Sequence, residues 1–479
     1  MTSTVRSKQP ATLTGAAAKA LAGRIARRIW VTSQPRNQHL HVVDGVQEYL
    51  LVVNGSRLYA LQPDMAAEAR LLLGSKDDSE VAAWLHKAGL DHPQEIDDEP
   101  LAPMRPHALS LAVAQKCNLG CTYCYAQQGA FGGQAKEMPL ETACAAVDLL
   151  MKEVKPGENV TLSFLGGEPM QNRKVIRATT EYAVREAAAR EARLGLSITT
   201  NGTLLTESDA EFFEEHGFAV TVSMDGQPAV HDRLRPYKNG RGSFDHIVER
   251  IAPLLGRQGA MQVSARVTVT PFNLDLVQTL DMLIGMRFHS VGFSPLLRSS
   301  SGTGELDKKG LEAMLEAMIA CGLSFEQHVL RGARYPFLNM INALRELHRG
   351  THRPYPCGAG AGYFGVSAEG DLSACHRFVG DTQGQFGNIA TGVDKQQQTL
   401  WLAERHVHRQ SPCSTCWARY LCGGGCHHEV LERGRPACDF IRGWLHYTIQ
   451  AHGRLASLAP DWFTGHRPAL WATDEATTR

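Results

Sequence analysis

The sequence lacks an excess of charge of either sign, because 49 Lys and Arg residues balance 49 Asp and Glu residues. Proteins that bind nucleic acid or an anionic membrane usually carry a basic surplus, so we expect neither as a partner. No apolar run approaches the roughly 20 residues that span a bilayer. The start of the chain also lacks the apolar core of a secretory signal, and it reads as a frayed tail or a short amphipathic helix. We therefore expect a cytoplasmic protein.

Aromatic residues are scarce as well, at 7% of the chain, yet 43% of its 479 residues are hydrophobic. A chain of this length and apolar content buries more than one core and divides into domains. Changes in pattern along it predict a flexible N-terminal tail (1–36), a small domain (37–90), a linker (91–106), an α/β barrel (107–300), a helical bridge (301–355), a cysteine-rich domain (356–440), and a C-terminal helix and tail (441–479).

Cysteine, by contrast, is abundant, with 12 in the chain. Without a secretory signal, metal clusters assembled in a reducing cytoplasm explain them better than disulfides do. Cys144 and Cys321 stand alone, and we expect them to be buried apolar residues. The other ten form two groups, the first at Cys117, Cys121 and Cys124 and the second at Cys357, Cys375, Cys413, Cys416, Cys422, Cys426 and Cys438.

The first group has the spacing CxxxCxxC and follows a strand-like apolar run, 108–114. Three thiolates on one short loop can bind three irons of a 4Fe–4S cluster and leave the fourth iron for a small molecule. A zinc loop or buried free cysteines are the alternative interpretations. A structural zinc ion usually takes four protein ligands, which three cysteines do not supply.

From residue 107 the pattern alternates between strands and helices, which argues for a parallel sheet built from βα units. In βα barrels the active site lies at the C-terminal ends of the strands, so we expect the first cysteine group at that face. The predicted strands are Leu109–Val113, Thr161–Phe164, Leu196–Thr199, Ala219–Ser223, Val263–Val269 and Ser290–Pro295.

A Gly-Gly-Glu-Pro motif follows the second predicted strand and contains Gly166, Gly167 and Glu168. Glycines without side chains let a ligand approach the backbone, and a carboxylate can accept a hydrogen bond from an ammonium group. On its own such a motif is weak, because Gly-Gly turns are common. Its position one βα unit after the cysteine loop makes it a candidate ligand-binding segment.

The fourth predicted strand ends in Ser-Met-Asp-Gly, with Ser223 as its first residue, and Arg235 follows soon after. A guanidinium group can bind a carboxylate through two hydrogen bonds, which makes Arg235 a candidate for a ligand carboxylate. Arg266, on the fifth predicted strand, is a second candidate. For both arginines the alternative is an ion pair at the surface or the rim.

The second cysteine group follows the pattern Cx12Gx4C…CxxCx5CxxxC…C. Four of its members taken alone also fit a zinc ribbon, which is the alternative interpretation. Together with the CxxxCxxC loop, the full pattern resembles the radical S-adenosylmethionine (SAM) superfamily with its C-terminal SPASM extension, found in peptide-modifying enzymes. That resemblance implies an α/β fold with a partial (β/α)6 barrel. It also implies three 4Fe–4S clusters and SAM as cofactors.

The resemblance further implies a role for each motif. Cys117, Cys121 and Cys124 would hold the cluster that binds SAM. The Gly166-Gly167-Glu168 segment would hold the SAM amino group, Ser223 would lie near its ribose and carboxylate, and Arg235 would pair with that carboxylate. Reductive cleavage of SAM then yields a 5′-deoxyadenosyl radical that takes a hydrogen atom from the substrate.

In the resembled family two auxiliary clusters have interleaved ligand sets. One set would be Cys413, Cys416, Cys422 and Cys438, and the other would be Cys357, Cys375 and Cys426. Fully ligated members have a further cysteine shortly after the first, but residues 358–364 contain none. The resemblance therefore implies an open iron in the second set, where a substrate thiolate can bind.

One position differs from the sulfatase-maturing members of the family, which carry an aspartate that acts as a base directly after the cysteine of the Gx4C motif. His376 stands there in this chain. A histidine can accept a proton at neutral pH, so His376 is our candidate catalytic base, and the alternative is that it only donates a hydrogen bond to a group around the site.

Residues 37–90 contain three predicted strands, joined through Asp-Gly and Asn-Gly turns, and then two helices. This winged-helix-like unit resembles the peptide-recognition element of enzymes that modify ribosomally made peptides. Such elements bind a leader segment as an added strand, and a structural cap is the alternative. The expected partners are a peptide or protein substrate with a leader segment and a flavodoxin- or ferredoxin-like reductant.

The N-terminal unit, the Gln-containing loop 125–129 after the first cysteine group and the number of cysteines most resemble the branch of the SPASM family that matures quinohemoprotein amine dehydrogenase. The implied reaction joins a cysteine sulfur to a methylene carbon of Asp or Glu within one peptide. A sulfatase-type formylglycine maturase is the alternative enzyme, and a cysteine-rich zinc-binding module is the alternative without catalysis.

Overall fold

This computed structural model describes residues 15–45, 47–91 and 98–464. Within these ranges no helix is both long enough and apolar enough to cross a membrane. The N-terminal part forms a three-stranded antiparallel sheet in the order β1-β2-β3. Its elements are α1 (Gly15–Thr32), β1 (Leu40–Val43), β2 (Glu48–Val52), β3 (Arg57–Leu61), α2 (Pro63–Leu72) and α3 (Asp78–Lys87). The order of strands and helices agrees with the prediction, while the likeness to a winged helix stays a prediction.

The middle of the chain alternates between strands and helices as predicted. Strands β4, β6, β7, β8, β9 and β10 pair in parallel, each with the next, and the short β5 pairs with β4. The elements are β4 (Ala108–Gln115), β5 (Lys136–Glu137), α4 (Leu140–Met151), β6 (Asn159–Gly166), α5 (Arg173–Ala189), β7 (Arg193–Thr200), α6 (Glu207–Glu215), β8 (Ala219–Ser223), α7 (Pro228–Leu234), α8 (Phe244–Leu255), β9 (Gln262–Val269), α9 (Leu276–Gly285) and β10 (Ser290–Pro295).

The C-terminal part continues the same sheet, because β11 pairs in parallel with β4 and then leads to β12, β13 and β14. This pairing joins the cysteine-rich region to the barrel through backbone hydrogen bonds. The elements are α10 (Lys308–Leu330), α11 (Leu338–Arg349), β11 (Tyr363–Val366), β12 (Asp371–Ser373), β13 (Gln385–Asn388), β14 (Gly392–Val393), α12 (Lys395–Arg405), α13 (Arg419–Cys422), α14 (His427–Arg433), α15 (Cys438–Leu458) and α16 (Asp461–Thr464).

The two faces of the parallel sheet differ in chemistry. One face presents Leu, Val and Phe side chains that are buried with the apolar sides of the helices in one large core. The other face, which lines the barrel lumen, carries small polar residues. The Ser163 and Ser197 hydroxyl oxygens lie 2.7 Å apart on adjacent strands, and those of Ser264 and Ser290 lie 2.9 Å apart. Branched apolar residues fill the lumen of closed barrels, so short polar side chains leave room here for ligands.

Within the predicted tail, residues 1–36, the structure contains the helix α1, which agrees with the alternative of a short helix rather than with a frayed segment. This helix packs against α10 and α15 and buries Ala22, Ala26 and Ile29. Its many alanines read as a frayed segment in the sequence, but their small side chains let two helices approach closely. Residues 1–14 lie outside the described residues.

The predicted linker, 91–106, is anchored to the C-terminal part of the chain at one carboxylate. Asp98 accepts hydrogen bonds from His352 Nε2, at 3.2 Å, from His408 Nε2, at 2.5 Å, and from the Tyr420 hydroxyl group. These contacts hold that end of the linker in place, while residues 92–97 lie outside the described residues.

Candidate active site

The first cysteine group lies on the loop after β4, at the C-terminal ends of the parallel strands. The loop is held from outside by backbone hydrogen bonds, since Gly120 N donates to Pro236 O and Thr122 N donates to Leu234 O. Burial raises the pKa of the Cys121 thiol to about 12, against the opposite effect of the Arg235 guanidinium. A thiolate in this position therefore needs the positive charge of a metal to form.

The Gly-Gly-Glu loop lies directly against the cysteine loop. Gly167 N donates to Ala114 O at 2.8 Å, and Glu168 N donates to Lys116 O at 2.9 Å. A Cβ atom on Gly167 would lie 2.3 Å from Lys116 O and 2.7 Å from Gly129 Cα. The backbones of three loops thus meet at a point where only glycine fits.

We expect Gly167→Ala to weaken SAM binding about tenfold or more, because overpacking costs about 1–3 kcal/mol and here pushes the motif away from the cysteine loop. Equilibrium dialysis with SAM measures the change. The matched control is Gly133→Ala, whose Cβ would have no neighbour closer than 3.6 Å. Equal SAM affinity in the two variants would contradict the proposed contact.

The Glu168 carboxylate is fully buried and already accepts hydrogen bonds from other groups of the protein. Its Oε1 accepts from Met170 N and from Thr200 Oγ1, and its Oε2 accepts from Asn201 N at 2.7 Å. A carboxylate has about four acceptor positions, so one is left. The predicted contact between Glu168 and the SAM amino group stays a prediction. Thr200 and Asn201, which the sequence pattern predicts at the end of the third barrel strand, join that strand to this loop.

Arg235 lies beside the first cysteine group, where the Asp225 carboxylate is the partner of its positive charge. Its Nη1 donates to the Tyr123 hydroxyl at 2.5 Å and lies 3.8 Å from Asp225 Oδ2. Burial raises the pKa of Asp225, and the Arg235 guanidinium lowers it. The buried Nε of Arg235 has no hydrogen-bond partner among the described residues. Ser223, half-buried, ends β8 nearby, and its predicted contact with SAM stays a prediction.

Within the second group of cysteines, the thiols of each predicted set are close enough to interact electrostatically with one another, and Cys426 also lines the cavity that contains the predicted set of four. Burial raises the pKa of Cys413 to about 12, and the other thiols of the first set raise it further. Burial likewise raises the pKa of Cys375 to about 12, and Cys426 and Cys357 add to that effect. The structure therefore brings together one set of four thiols, Cys413, Cys416, Cys422 and Cys438, and one of three, Cys357, Cys375 and Cys426.

Local backbone conformation separates Cys422 from Cys426, which are neighbours in sequence but belong to different sets. The three intervening glycines, 423–425, all have positive φ, which other residues rarely adopt. The set of four is also close to positive charge, because Arg435 and Arg442 lower the thiol pKa of Cys438. Cationic side chains of this kind stabilise the negative charge of a thiolate-bound cluster.

The thiol sets fit iron–sulfur clusters in number and in kind. Within the described ranges, no three His, Cys, Asp or Glu side chains are close enough to share a single metal ion. In a 4Fe–4S cluster each thiolate binds a different iron. The thiolates around a cluster are consequently farther apart than those around one zinc ion.

His376 lies between the set of three thiols and the barrel. Its Nδ1 is 2.8 Å from the Tyr363 hydroxyl, and burial lowers its pKa to about 4. The imidazole is therefore neutral at pH 7, and its lowered pKa makes it a weak base there. Tyr125 and Arg377 lie next to His376 and were not predicted from the sequence as site residues. Tyr125 directly follows the ligand cysteine Cys124, and Arg377 directly follows His376 itself.

Comparison with known proteins agrees with this geometry. Residues 111–283 match the family model described as the Radical SAM superfamily. The serine-type anaerobic sulfatase-maturating enzyme of Klebsiella aerogenes is 25% identical over 360 residues, which cover 70% of this chain and 83% of that enzyme.

Two solved structures show a similar fold at 20% identity. The one described as native anSMEcpe with bound AdoMet has a TM-score of 0.63 and covers 74% of this chain and 100% of its own. The one with bound AdoMet and Cp18Cys peptide has a TM-score of 0.60 and covers 74% and 99%. Residues 111–283 therefore form a radical SAM domain, for which a 4Fe–4S cluster and SAM are the cofactors, and the chain is a radical SAM enzyme.

Proposed function

We propose that this enzyme forms a thioether within a peptide, by joining a cysteine sulfur to a methylene carbon of Asp or Glu. This is the reaction of the branch that matures the small subunit of quinohemoprotein amine dehydrogenase. Sulfatase-maturating relatives and a structural neighbour with a bound peptide support a peptide as the substrate. The proposal includes three 4Fe–4S clusters, one on each group of thiols.

The observation that carries the proposal is the position of the three-thiol set next to the SAM side of the barrel. Tyr125 is close to a thiol of each of these two groups. Burial raises the pKa of its hydroxyl most, and the nearby Cys124 and Cys375 raise it further. The Gly-rich segment 358–364 provides no fourth thiol. A cluster with three protein thiolates supplies one coordination position for an external thiolate. A substrate cysteine held there would be close to the carbon that loses its hydrogen.

The residues of this chain would divide the work as follows. Cys117, Cys121 and Cys124 would hold the cluster that, with SAM, supplies a 5′-deoxyadenosyl radical. The polar lumen admits SAM and the peptide. His376, with Nδ1 hydrogen-bonded to the Tyr363 hydroxyl, would pass on the thiol proton rather than hold it, because burial lowers the pKa of this imidazole to about 4. One hydrogen atom passes to 5′-deoxyadenosine, one proton to the base and one electron to an acceptor, for which the auxiliary clusters are the candidates.

A formylglycine maturase is the second candidate, and the similarity to a sulfatase-maturating enzyme favours it. The position after Cys375 argues against it, because an aspartate is expected there as the base and this chain has His376. Burial lowers the pKa of that histidine to about 4 and keeps it uncharged. A neutral imidazole does not supply the negative charge that an aspartate would place there.

Mass spectrometry of a treated peptide separates the two reactions. We expect the anaerobically reconstituted enzyme, given SAM, a reductant and the peptide product of a neighbouring gene, to yield a product that has lost two hydrogens and kept its sulfur. Formylglycine made from cysteine has lost the sulfur instead, and that outcome would replace the thioether proposal. A version of the peptide with Ser in place of Cys is the control, and it should stay unmodified.

The N-terminal unit would contribute the recognition of a leader segment. In its three-stranded sheet β1 and β3 are the outer strands. One face of this sheet packs on the C-terminal region, where the His41 ring stacks on Trp417 at 3.7 Å. An added peptide strand is expected along one of the two outer strands. Electrons would come from a flavodoxin- or ferredoxin-like partner.

A further inference from the structure

Two arginines lie near one carboxylate, that of Glu429, where the barrel lumen meets the cysteine-rich region. Arg377 forms an ion pair with Glu429 at 2.8 Å. Arg266, close enough to interact electrostatically with both, donates a hydrogen bond to the uncharged Ser294 hydroxyl. Two guanidinium groups thus share one carboxylate in the described part of the lumen. A desolvated charge is costly unless it is paired, so this arrangement calls for a further anion.

The Arg266 side chain is surrounded by protein atoms but is still in contact with solvent. Burial lowers its pKa, and the nearby Arg377 lowers it further. Its side chain is nevertheless exposed, because it lines an open lumen. On the adjacent strand it is in register with Gly292, which has no side chain to cover it. The guanidinium therefore faces a space that a ligand can enter.

Arg377 extends from the auxiliary region toward the SAM side of the barrel. Its guanidinium lies over the Tyr125 ring, 5.1 Å from the centroid, and its Nη1 is 3.9 Å from Cys426 Sγ. Its buried Nε has no hydrogen-bond partner among the described residues. This places an unused donor between the first cysteine group and the three-thiol set, where the reacting part of a substrate has to lie.

We propose that Arg266 and Arg377 form a carboxylate-binding site whose ligand is an acidic side chain of the peptide substrate. The inference rests on the proposed function and specifies which residues of the peptide the enzyme selects. A guanidinium group binds a carboxylate with two charge-assisted hydrogen bonds, which an amide of the same size does not match. The other source of a carboxylate is SAM itself. Arg377 argues against SAM, because this residue belongs to the auxiliary region and contacts Cys426.

The test uses two probes of the same size, N-acetylglutamate amide, whose side chain is a charged carboxylate, and N-acetylglutamine amide, whose side chain is a neutral amide. Both are titrated by equilibrium dialysis into the reconstituted enzyme saturated with SAM. We expect the wild-type protein to bind the glutamate probe about tenfold more tightly than the glutamine probe. We expect Arg266→Gln to remove most of this preference and Arg266→Lys, which keeps the charge without the planar fork, to retain part of it.

The control variant is Arg257→Gln, which removes a surface arginine paired with Glu207 and should keep the full preference. Equal binding of the two probes by the wild-type protein would overturn the proposal, whatever the variants do. So would a preference that survives Arg266→Gln. The dissociation constant of SAM is measured in parallel, and a rise that matches the loss of the glutamate probe would assign Arg266 to the SAM carboxylate. Binding of the probes is independent of which product forms, so failure of the thioether proposal is detected separately.

Discussion

Replacing Cys117, Cys121 and Cys124 together with Ala is expected to abolish SAM cleavage. These thiols share the loop at the C-terminal end of β4, and the Gly-Gly-Glu loop lies against it. Without thiolates the loop cannot hold the cluster that SAM must contact. Chromatography of reaction mixtures should show 5′-deoxyadenosine only at background. With three clusters per chain, iron should fall from about 12 to about 8 atoms.

The matched control for this variant is Cys144→Ala, which removes a thiol of α4 that belongs to none of the three sets. It should keep both its iron and its activity. Cleavage of SAM by the triple variant would contradict the assignment of the first cysteine group. A loss of all iron would instead mean that the three sites depend on one another for folding.

Replacing Cys426 with Ala is expected to remove product formation much more than it removes SAM cleavage. Cys426 belongs to the three-thiol set, and removing it leaves only two protein ligands there. The SAM-binding loop is a separate segment held by its own backbone hydrogen bonds. The peptide product is followed by mass spectrometry and 5′-deoxyadenosine by chromatography in the same samples, so that the ratio of the two is measured directly.

The variant Cys144→Ala again serves as the control, and the ratio of product to 5′-deoxyadenosine should equal that of the wild-type enzyme. Wild-type product yield from Cys426→Ala would show that the three-thiol set is not needed for the bond-forming step. Equal losses of product and 5′-deoxyadenosine would indicate a purely structural role for this thiol.

Much of the fold was predictable because its determinants are local. Two of the barrel strands, Ala219–Ser223 and Ser290–Pro295, begin and end where the sequence pattern predicts. A buried parallel strand requires a short apolar run between turn residues, and such a run is legible in the sequence. For the helix α1 the sequence left a frayed tail and a short helix open, because an alanine-rich segment has no strong pattern of its own. Only its packing on α10 and α15 makes it part of the core.

The candidate active site likewise combines features that are local in sequence with contacts between distant segments. The spacing within the CxxxCxxC loop is a local property, since one turn of chain brings the three thiols to the end of β4. The contacts of Glu168 with Thr200 and Asn201 join residues more than 30 positions apart, and the meeting of Arg377 with Tyr125 and Arg266 joins still more distant segments. Periodicity reports which face of an element is apolar but not which loops meet.

The sequence by itself determined the candidate metal ligands, because the number and spacing of the thiols limit what they can bind, and the resemblance that these motifs carry indicated the class of chemistry. Tertiary structure alone decided which charges share the lumen, where two guanidinium groups meet a single carboxylate. The physical reason is that coordination depends on short-range spacing along the chain. The charge balance of a cavity depends on side chains that long-range folding brings together.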